Sequence, residues 1–225
     1  YADRPVFRVG GMNILSLQDR PISEWNAVVK RIEDLCLVIP ALIFFFPILL
    51  VVAVLIKIDS RGGIFFIQER FGFNNKIIKI YKFRSMYTEM SDSKGTHQTE
   101  QNDPRITRVG RFIRRTSIDE LPQLVNVLIG SMSVVGPRPH PTGMQADGKL
   151  LHEVLVQYAS RHRVKPGITG WAQCHGYLGE ASTIEKALKR VEYDLYYIEN
   201  WSVYLDFVTI IKTLILLIKG RGNAF

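Results

Sequence analysis

From Leu35 to Ile56 the chain carries no charged residue, and no other feature constrains its fold so tightly. A run of that length is long enough to cross a bilayer as a helix. Pro40 and Pro47 lie inside it, and each proline removes a backbone hydrogen bond and bends a helix. Lys30 and Arg31 precede the run, while Lys57, Arg61, Arg70, Lys76, Lys79, Lys82 and Arg84 follow it. Cationic flanks prefer the cytoplasmic side, and a straight span cannot keep both flanks there. The expectation is a re-entrant helix-break-helix over residues 30–58, dipping into one leaflet and returning at a bend near Pro47. The run starts too late and is too long for a signal peptide.

Residues 1–29 mix charges with Pro5, Pro21 and Gly10-Gly11, and they read as a linker from a region further upstream. The net charge of +8 over 225 residues asks for an anionic partner: nucleic acid, a phosphorylated substrate or an acidic lipid surface. No helix-turn-helix signature supports nucleic acid, and no Walker loop or zinc spacing is present. Cys36 and Cys174 are far apart and read as free thiols of a reducing compartment. Two strands are expected over 64–83 about a Gly72–Asn75 turn, followed by a polar loop over 87–104. Arg108, Arg111 and Arg115 then recur at helical spacing. A mixed helical stretch is expected over 140–162. Ser182 and Glu185 have capping-box spacing for a helix reaching Asn200. A last apolar helix over 201–219, too short in its uninterrupted stretches to span, suits the membrane interface. The fold class is α+β, mainly helical: a re-entrant membrane helix plus interfacial amphipathic helices around a small cytosolic domain over 59–225.

The chemistry concentrates in Thr116-Ser117-Ile118-Asp119-Glu120-Leu121-Pro122-Gln123-Leu124. Pro122 fits only the first turn of a helix, which puts the helix start between Ser117 and Glu120, with Ser117 and Glu120 as a capping box. Asp119 and Glu120 then sit at the positive end of the helix dipole, which favours their ionised forms. Such a pair can attack an electrophile or hold a hard cation; it can equally be two ordinary capping acids. Arg138 lies between Pro137 and Pro139, which stiffen its backbone for a phosphate contact or a simple turn. Lys82 and Arg84 alternate with Tyr81 and Phe83, at either a phosphate contact or a solvated strand end. Lys165 opens a glycine-rich loop, whose amides can approach phosphates. It leads to Trp171, a packing residue or a base-stacking one.

Lys30-Arg31, the proline-broken run, YKFRSM at 81–86, NDPRITRVGRFIRRTSIDELPQL at 102–124, GPRPH at 136–140 and KPGITGWAQ at 165–173 occur in that order. Together they make residues 30–225 resemble the bacterial sugar transferase family of monotopic phosphoglycosyl transferases, above all the undecaprenyl-phosphate glucose phosphotransferases that initiate exopolysaccharides. The resemblance implies transfer of a sugar-1-phosphate from a UDP-sugar to undecaprenyl phosphate with release of UMP. It places the protein in the bacterial inner membrane, with its site on the cytoplasmic face and membrane lipids as neighbours; an oligomer is left open. It implies that Asp119 attacks phosphorus, forming a covalent aspartyl-phosphosugar, and that Glu120 is the metal ligand, for Mg²⁺. Lys82, Arg84, Arg114, Arg115 and Arg138 are then the candidates for substrate phosphate, and Lys165 and Trp171 for the nucleotide. Phe46 stands where the family usually has a serine before the central proline, which bears on the geometry of the bend. The rival readings are the same reaction with galactose or an N-acetylated sugar, a polytopic phosphosugar transferase, and a basic membrane-surface adaptor without catalysis.

Overall fold

The structure, a computed structural model, describes residues 6–9, 12–15, 22, 24–90, 103–141, 143–146, 149–150, 158–177 and 183–219. It is mostly helical, with four two-stranded sheets among the described residues. Near the start of the chain, β1 (Val6–Val9) pairs antiparallel with β2 (Met12–Leu15).

The apolar run lies within α1 (Glu24–Asp59), one helix of 36 residues containing both prolines. The helix-break-helix expected near Pro47 is therefore not an interruption of helical structure. A proline deletes the bond to the carbonyl four residues back, here those of Cys36 and Ile43, while neighbouring turns keep theirs. Packing on both sides of each proline also favours continuation. Leu35, Val38, Leu42, Phe45, Leu49, Val52 and Ile56 recur three and four residues apart and form a seam against the rest of the fold. The first half of the seam meets Ile80, Leu124, Val127 and Met132; the second half meets Phe83 and Ile113. The opposite face, including Ile39, Ile43, Phe44, Phe46, Val51 and Val54, is exposed.

Polar contacts fix both ends of this helix. At its start, Ser133 Oγ donates to both Asp34 oxygens (2.8 and 2.9 Å) and Val134 N to Oδ1 (2.9 Å). Lys30 Nζ donates to Asp206 Oδ2 at 2.6 Å, and Asp206 also accepts from Tyr197 Oη and Trp201 Nε1. At its end, Asp59 accepts from Val109 N at 3.0 Å.

The expected hairpin is present as β3 (Phe65–Phe71) and β4 (Ile77–Phe83), with Ile67 opposite Tyr81. Its turn carries Asn74 and Asn75 at φ 52° and 58°, left-handed values that asparagine tolerates better than most residues. Helix α2 (Arg108–Arg115) is capped by Thr107, whose hydroxyl accepts from Gly110 N at 2.9 Å. Gly110 is needed there because a Cβ would meet Ser85 O at 2.0 Å. Helix α3 (Gln123–Leu128) leads into β5 (Ser133–Val135). The short pair β6 (Gln145–Ala146) and β7 (Lys149–Leu150) follows, then β8 (Gly167–Thr169), which pairs parallel with β5. The helical stretch expected over 140–162 is not seen in its described part. Pro139 and Pro141 exclude a helix at its start, and a 3-10 turn occupies Tyr158–Arg163; residues 151–157 lie outside the described set, as do 91–102 of the expected polar loop. Helix α4 (Trp171–Cys174) precedes α5 (Ile184–Glu199) and α6 (Val203–Ile218). The cap of α5 is Thr183, accepting from Lys186 N at 3.3 Å, one position past the expected Ser182, which is outside the described residues.

The buried Lys30–Asp206 pair is the contact most exposed to truncation. Asp206→Ala removes the shortest of the contacts to Lys30, leaving its ammonium Asp34 at 3.4 Å and Glu33 at 3.9 Å. It also takes the acceptor from Trp201 Nε1, and the expected loss is about 2–3 kcal/mol in chemical denaturation. A loss below about 1 kcal/mol, the size of a surface pair, contradicts this account of how α1 is held.

Candidate active site

The acid pair sits in a sharp turn between two helices. Ser117, at φ 56° and ψ 16°, is left-handed and follows the last turn of α2, with Thr116 as the C-cap. That is the position where helices most often end in a left-handed residue, usually glycine; a serine there costs about 1–2 kcal/mol. The chain passes directly into a 3-10 turn over Ile118–Glu120, and α3 starts only after Pro122. The expected capping box is therefore absent: Ser117 belongs to the end of α2, its side chain caps nothing, and Glu120 turns elsewhere. Because the acids precede α3 rather than opening it, side-chain cations and not a helix dipole set their charge.

Glu120 is clamped. Lys82, next to last in β4, donates Nζ to Oε1 at 2.7 Å. Arg138 donates Nη2 to Oε1 at 2.5 Å and Nη1 to Oε2 at 3.1 Å, a guanidinium fork on a carboxylate. Burial alone would raise the Glu120 carboxyl, but Arg138 and Lys82 outweigh it and hold the group well below the usual carboxylate range. Asp119 differs. Burial and then the neighbouring Glu120 charge push it up to about 6, against the pull of Lys82, Arg114 and Arg138. Two adjacent carboxylates thus have opposite electrostatic fates, the pattern by which acid–base and nucleophilic roles are divided.

Behind this pair lies a layer of buried guanidinium groups. Arg161 Nη2 donates to Arg138 O at 2.8 Å and to Asp194 Oδ2 at 2.6 Å, and Arg70 Nη1 donates to Pro139 O. The flanking prolines and these two donors fix the backbone on both sides of the Arg138 fork. His140 lies between Arg161 Nη1 at Nδ1 and Arg190 Nη1 at Nε2. Burial, Arg161, Arg190 and Arg70 keep its imidazole neutral, well below its ordinary range. Among the described residues the half-buried cations Lys82, Arg70 and Arg138 gather beside the acid pair, a partly desolvated setting that favours an anion.

The structure brings Asp119, Glu120, Lys82, Arg114 and Arg138 of the expected set together and places the others elsewhere. Arg84 is buried against the turn after α1, donating Nη2 to Ser60 O at 2.8 Å, Nη1 to Thr88 Oγ1 at 2.6 Å, and to Arg61 O. Arg115 is exposed on α2, as are Arg108, Arg111 and Phe112. Lys165 faces Gly130 and the Arg31 guanidinium near the start of α1. Trp171 packs with His175 and Tyr196, and Lys212 Nζ lies 4.4 Å from its ring centroid. The glycine-rich loop pairs with the segment after β5: Gly167 N donates to Pro137 O at 3.0 Å, and Thr169 O accepts from Gly136 N at 2.9 Å. A Cβ on Gly167 would meet Gly136 N at 2.1 Å, so the glycine serves the close approach of β5 and β8. Sequence reasoning missed Arg70, Arg161, Arg190 and Asp194; they lie far apart in the chain, and no local pattern marks them.

Among the described residues no cluster of three His, Cys, Asp or Glu side chains forms a metal cage. Asp119 and Glu120 are hard oxygen donors of the kind Mg²⁺ takes, one or two carboxylates together with substrate phosphates and water. A cation on Glu120 would share its oxygens with Lys82 and Arg138.

A long apolar helix is thus laid along an α+β body that holds a half-buried acid pair among cations. The chain belongs to the bacterial sugar transferase family, whose model matches residues 25–220. It is 52% identical over 221 residues to the undecaprenyl-phosphate glucose phosphotransferase of Komagataeibacter xylinus, covering 98% of this chain and 41% of that protein. It is 47% identical over 208 residues to the UDP-glucose:undecaprenyl-phosphate glucose-1-phosphate transferase of Escherichia coli K12, covering 91% and 44%. It is 50% identical over 198 residues to the exopolysaccharide production protein PSS of Rhizobium leguminosarum bv. phaseoli, covering 88% and 99%. The chain thus spans less than half the length of the first two relatives and nearly all of the third.

Carboxyl NMR titration of the metal-free protein tests the electrostatics. Asp119 is expected to titrate near 6, where burial and then its charged neighbour put it, while Glu120 stays ionised to far lower pH. Glu120→Gln removes a negative neighbour and moves Asp119 downward. An Asp119 that titrates like a solvent-exposed aspartate in both proteins rules out the split.

Proposed function

We propose that this domain transfers a sugar-1-phosphate, glucose-1-phosphate by the names of its relatives, from a UDP-sugar to undecaprenyl phosphate and releases UMP. The observation that carries the reading is the split dyad: Glu120 is held by a bidentate arginine and a lysine, whereas Asp119 makes no hydrogen bond among the described residues and is destabilised as an anion. A carboxylate raised in this way is a better nucleophile than an ordinary one. In the first step an Asp119 oxygen bonds to the sugar-bearing phosphorus, and the bond from that phosphorus to the bridging oxygen breaks, so UMP leaves with its electron pair. In the second step a phosphate oxygen of the acceptor bonds to the same phosphorus. The acyl-phosphate bond breaks, returning Asp119 as a carboxylate. Arg138 and Lys82 keep Glu120 in place and add positive charge beside the transferring group, and Arg114 does the same for Asp119. Mg²⁺ held by Glu120 and substrate phosphates would neutralise charge on the diphosphate. The half-buried cations beside the pair suit that diphosphate.

The acceptor's lipid tail requires a site at a membrane surface. Three features favour an α1 that enters and leaves the bacterial inner membrane on its cytoplasmic side. A straight helix of 36 residues would be about 54 Å long, yet its seam contacts one folded body from Leu35 to Ile56. Cations flank both ends. Helix α6 exposes Tyr204, Phe207, Ile211, Leu214, Ile215 and Ile218, while its Lys212 reaches His175 Nε2 at 3.0 Å and the Trp171 ring. That arrangement fits a helix lying in the interface. A non-catalytic basic adaptor would need the apolar faces and the surface arginines but not the clamp on Glu120.

Purified protein given UDP-glucose, UDP-galactose or a UDP-N-acetylhexosamine with undecaprenyl phosphate is expected to release UMP fastest from UDP-glucose. Asp119→Asn is expected to lose on the order of 1,000-fold or more in turnover. UMP release by Asp119→Asn near the wild-type rate removes the nucleophile from this scheme. For topology, cysteines replacing Trp25 and Arg61, in a background without Cys36 and Cys174, should both react with an impermeant reagent from the cytoplasmic side only. Labelling from opposite sides means a straight span.

A further inference from the structure

Asn126 is fully buried on α3, six residues after Glu120, and its side chain reaches across to β4. Its Oδ1 accepts from Tyr81 N at 3.0 Å, and its Nδ2 donates to Lys79 O at 2.7 Å and to Ser131 Oγ at 3.2 Å. Its own carbonyl accepts from Ser131 N and Met132 N. Among the described residues, strand β4 pairs with β3 on one edge only. The groups of Lys79 and Tyr81 that Asn126 meets belong to the other edge, and the side-chain amide serves there as a single residue of a missing third strand. A side-chain amide carries its donor and its acceptor on two separate atoms at one end, as this contact with residues i and i+2 of a strand uses them.

The next residue along β4 is Lys82, whose ammonium holds Glu120 Oε1. Both ends of the Lys82–Glu120 contact are therefore carried by elements that Asn126 joins: the strand bearing the lysine and the helix that continues from the acid pair. We infer that Asn126 is a positioning residue for the transfer reaction proposed above: its bridge to Lys79 and Tyr81 sets the distance at which Lys82 meets Glu120. Asn126 touches neither substrate nor dyad, and it acts through Lys82. The inference rests on the reaction reading, and the tests separate the two.

Asn126→Ala is expected to lower kcat for UMP release by on the order of 100-fold, as a loosened reactive geometry does, with KM for the UDP-sugar changed by less than about threefold. Val127→Ala, a core truncation in the same helix, serves as the matched control: it lowers the melting temperature comparably and leaves kcat within about threefold. In a double-mutant cycle, Asn126→Ala adds little once Lys82→Met has removed the group it positions. Hydrogen exchange at the Tyr81 amide, read without substrate, speeds up in Asn126→Ala and not in Val127→Ala. If Asn126→Ala does not fold, Asn126→Ser is read by the same measurements. Losses in kcat that simply track melting temperature, or that add fully to Lys82→Met, overturn the inference. A Tyr81 amide that exchanges no faster overturns the bridge alone. Wild-type protein that releases no UMP from any donor overturns the reaction.

Discussion

The contact on which the structure depends is the double hold on Glu120 by Lys82 and Arg138. Without it, two neighbouring carboxylates in a desolvated turn would repel each other, and both would tend to take up protons. With it, one charge is neutralised by two cations and the other is left exposed to that same repulsion. Each partner in the hold comes from a different part of the fold. Lys82 is next to last in a strand, Glu120 closes a 3-10 turn, and Arg138 sits in a segment fixed by two prolines, Arg161 and Arg70. The site is thus a property of how β4, the turn before α3 and the loop after β5 meet.

The membrane helix contributes to that meeting. The seam of α1 packs against Ile80 of β4, Leu124 and Val127 of α3, and Met132 ahead of β5, the same elements that carry the dyad and its cations. Asp34 adds a direct tie to Ser133 and Val134, and Lys30 ties the start of the helix to α6 through Asp206. The apolar helix is therefore both an anchor and one wall of the domain core. The exposed apolar face of α1 and the elements that carry the acid pair lie on opposite sides of that one helix.

Much of this was legible in the chain itself. The hairpin, the basic α2 stripe, the last two helices and the Asp119-Glu120 pair all follow from period, turn residues and composition. The seam of α1 was not legible, because every position in the run is apolar and a heptad spacing has nothing polar to stand out against. The capping box at Ser117 failed because the left-handed serine belongs to the end of α2, and sequence spacing cannot tell a C-terminal residue of one helix from the cap of the next. Arg70, Arg161 and Arg190 were invisible as a group, since what unites them is the fold around Arg138 and His140. Arg84, Lys165 and Trp171 looked like ligand contacts from their neighbours in sequence, but the structure uses them to fasten the turn after α1, the region beside Arg31, and the α4–α6 packing. Polar side chains that staple a fold and those that meet a substrate can carry the same local signature.

The division of labour within the dyad is tested most directly by arresting the reaction after its first half. Protein incubated with radiolabelled UDP-glucose and no lipid acceptor, quenched and digested, is expected to yield one labelled peptide with a hexose phosphate on Asp119, together with an equal amount of UMP. The label should leave when undecaprenyl phosphate is added. UMP that appears only in the presence of acceptor, with no label on the protein at any time, contradicts the account and points instead to direct displacement between the two substrates.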